Sequence, residues 1–245
     1  MPYLMGGFPS IERSLEVGQV YARHADLVEL GVPFSDPLAD GPAIQAADHA
    51  ALAAGATLER VLDEVARPLA ESVPVVLMCY ANPIFARGVE RVAGALAARG
   101  VSGLIVPDMP AVEAADLRAA CDRAGIALIP LVAPNTPPET LREIGAVARG
   151  FVYVVSVTGV TGERTELPPE LHAVVQQVQG SAPLPAAVGF GIGTPEQAAA
   201  VGEIADGVII GSRLVREIGE APSFEQGLAG VDEFLGRTSD ALGSQ

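Results

Sequence analysis

The chain has 245 residues, 30 acidic against 15 basic, and a formal net charge of −15. That balance excludes nucleic acid or an anionic membrane surface as the main partner. Hydrophobic residues make up 49% and charged residues 18% of the chain, with 27 Gly and 20 Pro, which fits a sizeable core with many tight connections and excludes disorder.

Short β-branched runs recur along the chain at residues 2–6, 26–31, 73–80, 103–107, 127–133, 151–157, 186–191 and 207–211. Each is followed by a stretch rich in Ala, Leu, Glu and Arg with helical periodicity, including 43–54, 58–71, 90–99, 111–124 and 195–201. Alternating strands and helices predict a parallel sheet, and eight such units in a chain of this length predict a (β/α)8 barrel spanning residues 1–245 as a single domain. A doubly wound sheet is the alternative, because counting units does not by itself close a barrel.

Residues 27–42 read L-V-E-L-G-V-P-F-S-D-P-L-A-D-G-P. Glu29 stands inside the second apolar run, where an unpaired charge is costly to bury. Strand alternation puts Leu27, Glu29 and Gly31 on one face. Helices cover the outer face of a barrel strand, so Glu29 is expected to point inward near the mouth, where apolar surroundings would raise its pKa. A structural carboxylate bonded to nearby backbone is the other reading. Asp40, directly before Gly41-Pro42, reads either as the second member of an acid–base pair or as the cap of the helix that follows. Asp36, within Ser35-Asp36-Pro37, reads as a turn residue.

After the seventh run comes Gly189-Phe190-Gly191-Ile192-Gly193, and after the eighth Gly211-Ser212. In such barrels these two loops frequently cradle a phosphate with backbone N–H groups and a helix N-terminus. Sugar or glycerol phosphates are therefore the expected substrate class. Residues 157–166, small, polar and Gly-rich, read as a closing lid or as an ordinary loop.

All fifteen basic residues are arginine, so no lysine is present to form a Schiff base or to hold pyridoxal phosphate covalently. His24, His49 and His172 are scattered over helix-like segments, and Cys79 and Cys121 show neither metal spacing nor a disulfide pattern. With no signal peptide and no run of membrane-spanning length, a cytoplasmic location is expected.

The run from Val28 to Gly41 resembles the signature of the tryptophan synthase alpha chain family. The likeness continues through Met78-Cys79-Tyr80-Ala81-Asn82-Pro83, residues 103–110, Gly159-Val160-Thr161-Gly162, Gly189-Phe190-Gly191 and Gly211-Ser212. The resemblance implies a lyase that cleaves indole-3-glycerol phosphate to indole and glyceraldehyde 3-phosphate. It implies Glu29 as the general acid–base and Asp40 as the group that binds the indole N–H. Tyr80 and Tyr153 would line the pocket. Gly162, Gly191, Gly211 and Ser212 would hold the phosphate, and Thr161 would close the lid onto Asp40.

It further implies a beta chain as partner, in an assembly of two alpha and two beta chains, with pyridoxal phosphate on the beta chain and no cofactor on this one. Asp36, Pro37, Asn82 and Pro110 lie on loops that would face that partner. The family carries a helix before its first strand, whereas this sequence starts at Met1-Pro2-Tyr3, so a barrel lacking that helix is expected. A catalytically weak subunit that mainly activates the beta chain is the alternative function.

Overall fold

In the computed structural model, which describes residues 1–155, 171–181, 184–189 and 191–243, each β-branched run contributes a short strand to one parallel barrel. The strands are β1 (Tyr3–Met5), β2 (Val28–Gly31), β3 (Val75–Met78), β4 (Gly103–Ile105), β5 (Ala127–Ile129), β6 (Leu131–Val132), β7 (Val152–Val155), β8 (Ala186–Gly189) and β9 (Gly207–Ile209). They form two arcs, β1-β2-β3-β4-β5 and β6-β7-β8-β9, with every pairing parallel.

Two joints close the circle. At one, the chain runs directly from β5 to β6 through Pro130, which has no N–H to give but accepts from Tyr153 N–H at 2.9 Å. At the other, Tyr3 N–H donates to Ile210 O at 2.8 Å and Ile210 N–H to Met1 O at 3.0 Å. The single predicted strand at 127–133 is thus divided at its proline, and the eight predicted strands become nine segments of an eight-stranded barrel.

The other predicted strands overrun the observed ones by a few residues, because apolar character continues into the loops at the mouth, as at Cys79 and Tyr80. The tails of the predicted strands at 156–157 and 190 lie outside the described residues. Among the predicted helices, 43–54 is α2 (Pro42–Ala53), 90–99 is α6 (Val89–Ala97) and 195–201 is α10 (Pro195–Gly202). The stretch 58–71 is α3 (Leu58–Arg60), a π-helical segment Val61–Ala66 and α4 (Arg67–Leu69). The wider turns precede Pro68, whose ring crowds the carbonyl four residues back. The stretch 111–124 opens as a 3-10 turn, Ala111–Glu113, and becomes α7 (Ala115–Ala124) only past Ala114.

Two apolar layers result from the alternation. Val28, Leu30, Val75, Leu77, Leu104, Val152, Val154 and Val188 point outward, belong to the larger core and meet the helices. Val76, Ile105, Ile129, Phe151, Ala187 and Ile209 fill the interior with Leu27, Met78 and Tyr153. Each fully buried Val, Leu, Ile, Phe or Met side chain among them contributes about 1.5–3 kcal/mol. The interior layer is where the strand-borne functional groups stand.

Candidate active site

Glu29 pairs in register with Tyr3 on one side and Val76 on the other. Val76 and Leu27, two residues before Glu29, both belong to the interior layer, so the Glu29 side chain faces the lumen. It is fully buried, and neither carboxyl oxygen has a hydrogen-bond partner among the described residues. Burial pushes its pKa up to about 8; the amino terminus pulls the other way, and the charge of Asp40 adds to the rise. Burial therefore favours the protonated form of Glu29. A structural carboxylate is held by neighbouring donors, and none of the described residues supplies one here.

The structure separates the two readings of Asp40. The N-cap of α2 is Gly41, which makes no side-chain capping bond, and Pro42 opens the helix. The Asp40 carboxylate turns instead toward the barrel mouth, where Oδ2 accepts the Tyr80 hydroxyl at 2.7 Å. That hydroxyl also accepts Ala39 N–H at 3.0 Å, and Gln45 Nε2 donates to the Asp40 carbonyl at 2.8 Å. Burial raises the Asp40 pKa and the Tyr80 bond opposes the rise. The ring of Tyr80 stacks on Phe34 with centroids 4.9 Å apart. Tyr80 follows β3 and is the N-cap of α5 (Ala81–Arg87), so a strand end and a helix start fix it.

Two further tyrosines flank the acid. Tyr153, on β7, lies over Gly189, where an added Cβ would come within 2.6 Å of the hydroxyl oxygen. Tyr3 lies over Gly31 in the same manner, with its hydroxyl against the position a Cβ would take. In both pairs the glycine of the next strand leaves room for the ring. The charges of Glu29 and Asp40 raise both phenol pKa values, behind the larger effect of burial.

The residues expected to hold a phosphate come from the second arc. Gly191 follows β8 by two residues, and Gly211 is the N-cap of α11 (Ser212–Glu220), with Ser212 buried at its first position. A helix start carries N–H groups with no partner inside the helix. An added Cβ at Gly211 would stand 3.7 Å from Tyr3 Cβ, so α11 begins beside the tyrosine that adjoins Glu29. Thr161, Gly162 and the predicted lid at 157–166 lie outside the described residues, as does Phe190.

Of the four residues expected to face a partner, Asp36, Asn82 and Pro110 are exposed, whereas Pro37 is buried in this chain. Leu38 N–H donates to Asp36 O at 2.9 Å, a tight turn at Asp36, and Ser35 Oγ donates to Asp36 Oδ2 at 2.6 Å. Asn82 lies on α5 rather than on a loop; nearby, Leu38 on the loop before α2 (87%), Phe85 on α5 (54%) and Val112 in the 3-10 turn (61%) are also exposed. The free cysteines Cys79 and Cys121 are buried, which pushes their thiols up to about 12 and about 11. Among the described residues, no group of three or more His, Cys, Asp or Glu side chains is placed to hold a metal ion.

Sequence reasoning missed three participants. Tyr3 carried no signal beyond an aromatic in a strand. Asp108 accepts Ala81 N–H at 2.8 Å, joining the segments that follow the adjacent strands β4 and β3. Asp48 sits on the buried face of α2 with Ile44, Ala47 and Ala51, and that helical spacing could have revealed it.

A closed parallel barrel whose carboxylates and tyrosines gather toward the C-terminal ends of its strands is a (β/α)8 barrel, the class of enzymes whose active sites lie at that end. The family model described as "Tryptophan synthase alpha chain" matches residues 1–242. The tryptophan synthase alpha chain of Carboxydothermus hydrogenoformans is 49% identical over 218 residues, covering 88% of this chain and 82% of its own. The chain of the same name from a Roseiflexus species is 46% identical, covering 95% and 90%. Among solved structures, the Legionella pneumophila tryptophan synthase alpha subunit superposes with a TM-score of 0.90 at 35% identity, covering 100% of this chain and 92% of its own. A chain of Mycobacterium tuberculosis tryptophan synthase does so with a TM-score of 0.89 at 35% identity, covering 98% and 91%. This chain belongs to the tryptophan synthase alpha chain family, the lyases that cleave indole-3-glycerol phosphate in tryptophan biosynthesis.

Proposed function

We propose that Glu29 and Asp40 carry the lyase reaction in this chain, Glu29 as the proton shuttle and Asp40 as the charge partner of the indole ring. The observation that carries this reading is the lumen-facing Glu29, fully buried and with no partner for either oxygen among the described residues. Glu29 delivers its proton to indole C3, and the ring nitrogen takes up positive charge that the Asp40 carboxylate stabilises. The glycerol hydroxyl next to the ring then gives its proton back to Glu29. The bond between indole C3 and the glycerol carbon breaks, its electron pair restores the aromatic ring, and the hydroxyl carbon becomes the aldehyde. Glu29 ends protonated as it began. The protonated ring serves as the electron sink that a lysine Schiff base provides in other aldol cleavages, and this chain has no lysine.

In the same reading Tyr80 and Tyr153 border the indole and glycerol parts. Gly191, Gly211 and Ser212 hold the phosphate at the start of α11, joined by Gly162 and, at the lid, Thr161. Replacing Glu29 with Gln and assaying indole release from indole-3-glycerol phosphate tests the assignment; near-normal turnover in a folded variant would sink it.

The partner in this proposal is a beta chain, in an assembly of two of each, and pyridoxal phosphate resides on that beta chain. Exposed Leu38, Phe85 and Val112, beside Asp36, Asn82 and Pro110, support a docking face at the barrel mouth. The unpaired, buried cysteines favour a reducing compartment, hence the cytoplasm. Among the described residues, no helix is long and apolar enough to cross a membrane.

A further inference from the structure

Asp48 is a carboxylate on the apolar face of α2, 1% exposed, among Ile44, Ala47 and Ala51. An alanine or leucine there would bury at no electrostatic cost. One oxygen, Oδ1, accepts Phe34 N–H at 3.0 Å, fourteen positions earlier on the loop between β2 and α2. The other, Oδ2, has no partner among the described residues. Burial lifts the carboxyl to about 7, the Phe34 N–H pulling it down and the charge of Asp40 pushing it up. The Phe34 ring lies on Tyr80, and the Tyr80 hydroxyl donates to Asp40. The loop that carries Asp40 is thereby fastened at both ends, by Asp48 at Phe34 and by Tyr80 at Ala39 and Asp40.

We propose that Asp48 is a positioning residue for the lyase reaction, setting Asp40 through the backbone of Phe34, the Phe34–Tyr80 stack and the Tyr80 hydroxyl. This rests on the role given above to Asp40. Asp48 touches no reacting atom in this scheme. Its carboxylate accepts the N–H that fixes where the Phe34 ring sits, and the ring fixes the tilt of the phenol. A displacement of about 1 Å at a catalytic group can cost a hundredfold in rate, so a tether two contacts away has leverage on kcat. Substrate affinity, held mainly at the phosphate end, is left nearly unchanged.

The test is steady-state indole release from indole-3-glycerol phosphate by Asp48→Asn, Asp48→Ala, Asp48→Ser, Tyr80→Phe, Asp40→Asn and the Asp48→Ala/Tyr80→Phe double variant, with circular dichroism to establish folding. Asp48→Ala, and Asp48→Ser where its hydroxyl falls short of Phe34, should lower kcat about tenfold with KM within about twofold. Asp48→Asn keeps an oxygen for the Phe34 N–H and should stay within about threefold of the parent. In the double variant the loss should be less than the product of the single losses, because one linkage is broken twice. A kcat loss under about threefold in the truncated variants, an Asn variant as slow as Ala, or full additivity with Tyr80→Phe overturns the proposal. If neither Asp48→Ala nor Asp48→Ser folds, Asp48 serves the fold alone and the proposal falls. Asp40→Asn separates the two claims: normal turnover there sinks the role of Asp40 itself, whereas an inactive Asp40→Asn with Asp48→Ala at the parent rate sinks only the tether.

Discussion

Burial raises the pKa of Glu29, and no described residue donates to its carboxyl oxygens; that cost shows how to test it. General acid–base groups contribute about 10²–10⁴ in rate, so Glu29→Gln should lower kcat by at least about a hundredfold while circular dichroism stays that of the parent. The same group makes stability depend on pH. Between its ordinary pKa of 4.5 and about 8 in the folded state, the native chain holds a proton that the unfolded chain has released. Stability is thus fully present below 4.5 and falls as pH rises toward 8. Asp48, lifted to about 7, acts in the same direction. Urea unfolding at pH 5 and pH 9 should show Glu29→Gln gaining on the parent by a few kcal/mol at the higher pH, since each tenfold difference in proton affinity is worth about 1.4 kcal/mol. Parallel curves for the two proteins would contradict the burial argument. Glu29 was legible in the sequence because a charge in an apolar strand is conspicuous and alternation gives its direction. Asp40 was not resolved, because Asp-Gly-Pro is equally the signature of a helix start. What separates the readings is Tyr80, forty positions away and invisible to any local pattern.

At the level of elements, the strands accommodate two tyrosines by placing glycine beside each. Gly31→Ala should force Tyr3 away from the Gly31 backbone, costing about 1–3 kcal/mol as overpacking and lowering kcat with it. A thermal midpoint and turnover equal to the parent would show that Tyr3 has room to move. Asp40→Asn makes the opposite demand on α2. Turnover should fall at least about tenfold, whereas loss of a true side-chain cap would cost about 1 kcal/mol of stability. Since Gly41 is the cap, the thermal midpoint should stay within about 2 °C of the parent. Strand and helix order was readable from periodicity alone. The strand ends were not, because burial at the barrel mouth extends apolar sequence past the last ladder bond, and the break at Pro130 follows from its missing N–H.

Over the whole molecule, the net charge of −15 keeps the surface hydrophilic, and it is the mouth that exposes Leu38, Phe85 and Val112. Phe85→Ser, on α5 away from the acid pair, should weaken capture of a beta chain about tenfold in pull-down or calorimetry, with unassisted indole release unchanged. Unaltered affinity would move the docking face elsewhere. The two arcs of the barrel carry different parts of the proposed site. Glu29, Asp40 and Tyr80 belong to the first, and Tyr153, Gly191, Gly211 and Ser212 to the second. A substrate gripped at both ends is then a strut across the lumen, bracing the wall at the joints through Pro130 and Ile210. Amide exchange at Tyr153, Tyr3 and Ile210, whose N–H groups cross those joints, should slow when an indole–glycerol phosphate analogue binds. The ligand would thus serve the barrel as a removable crossbeam.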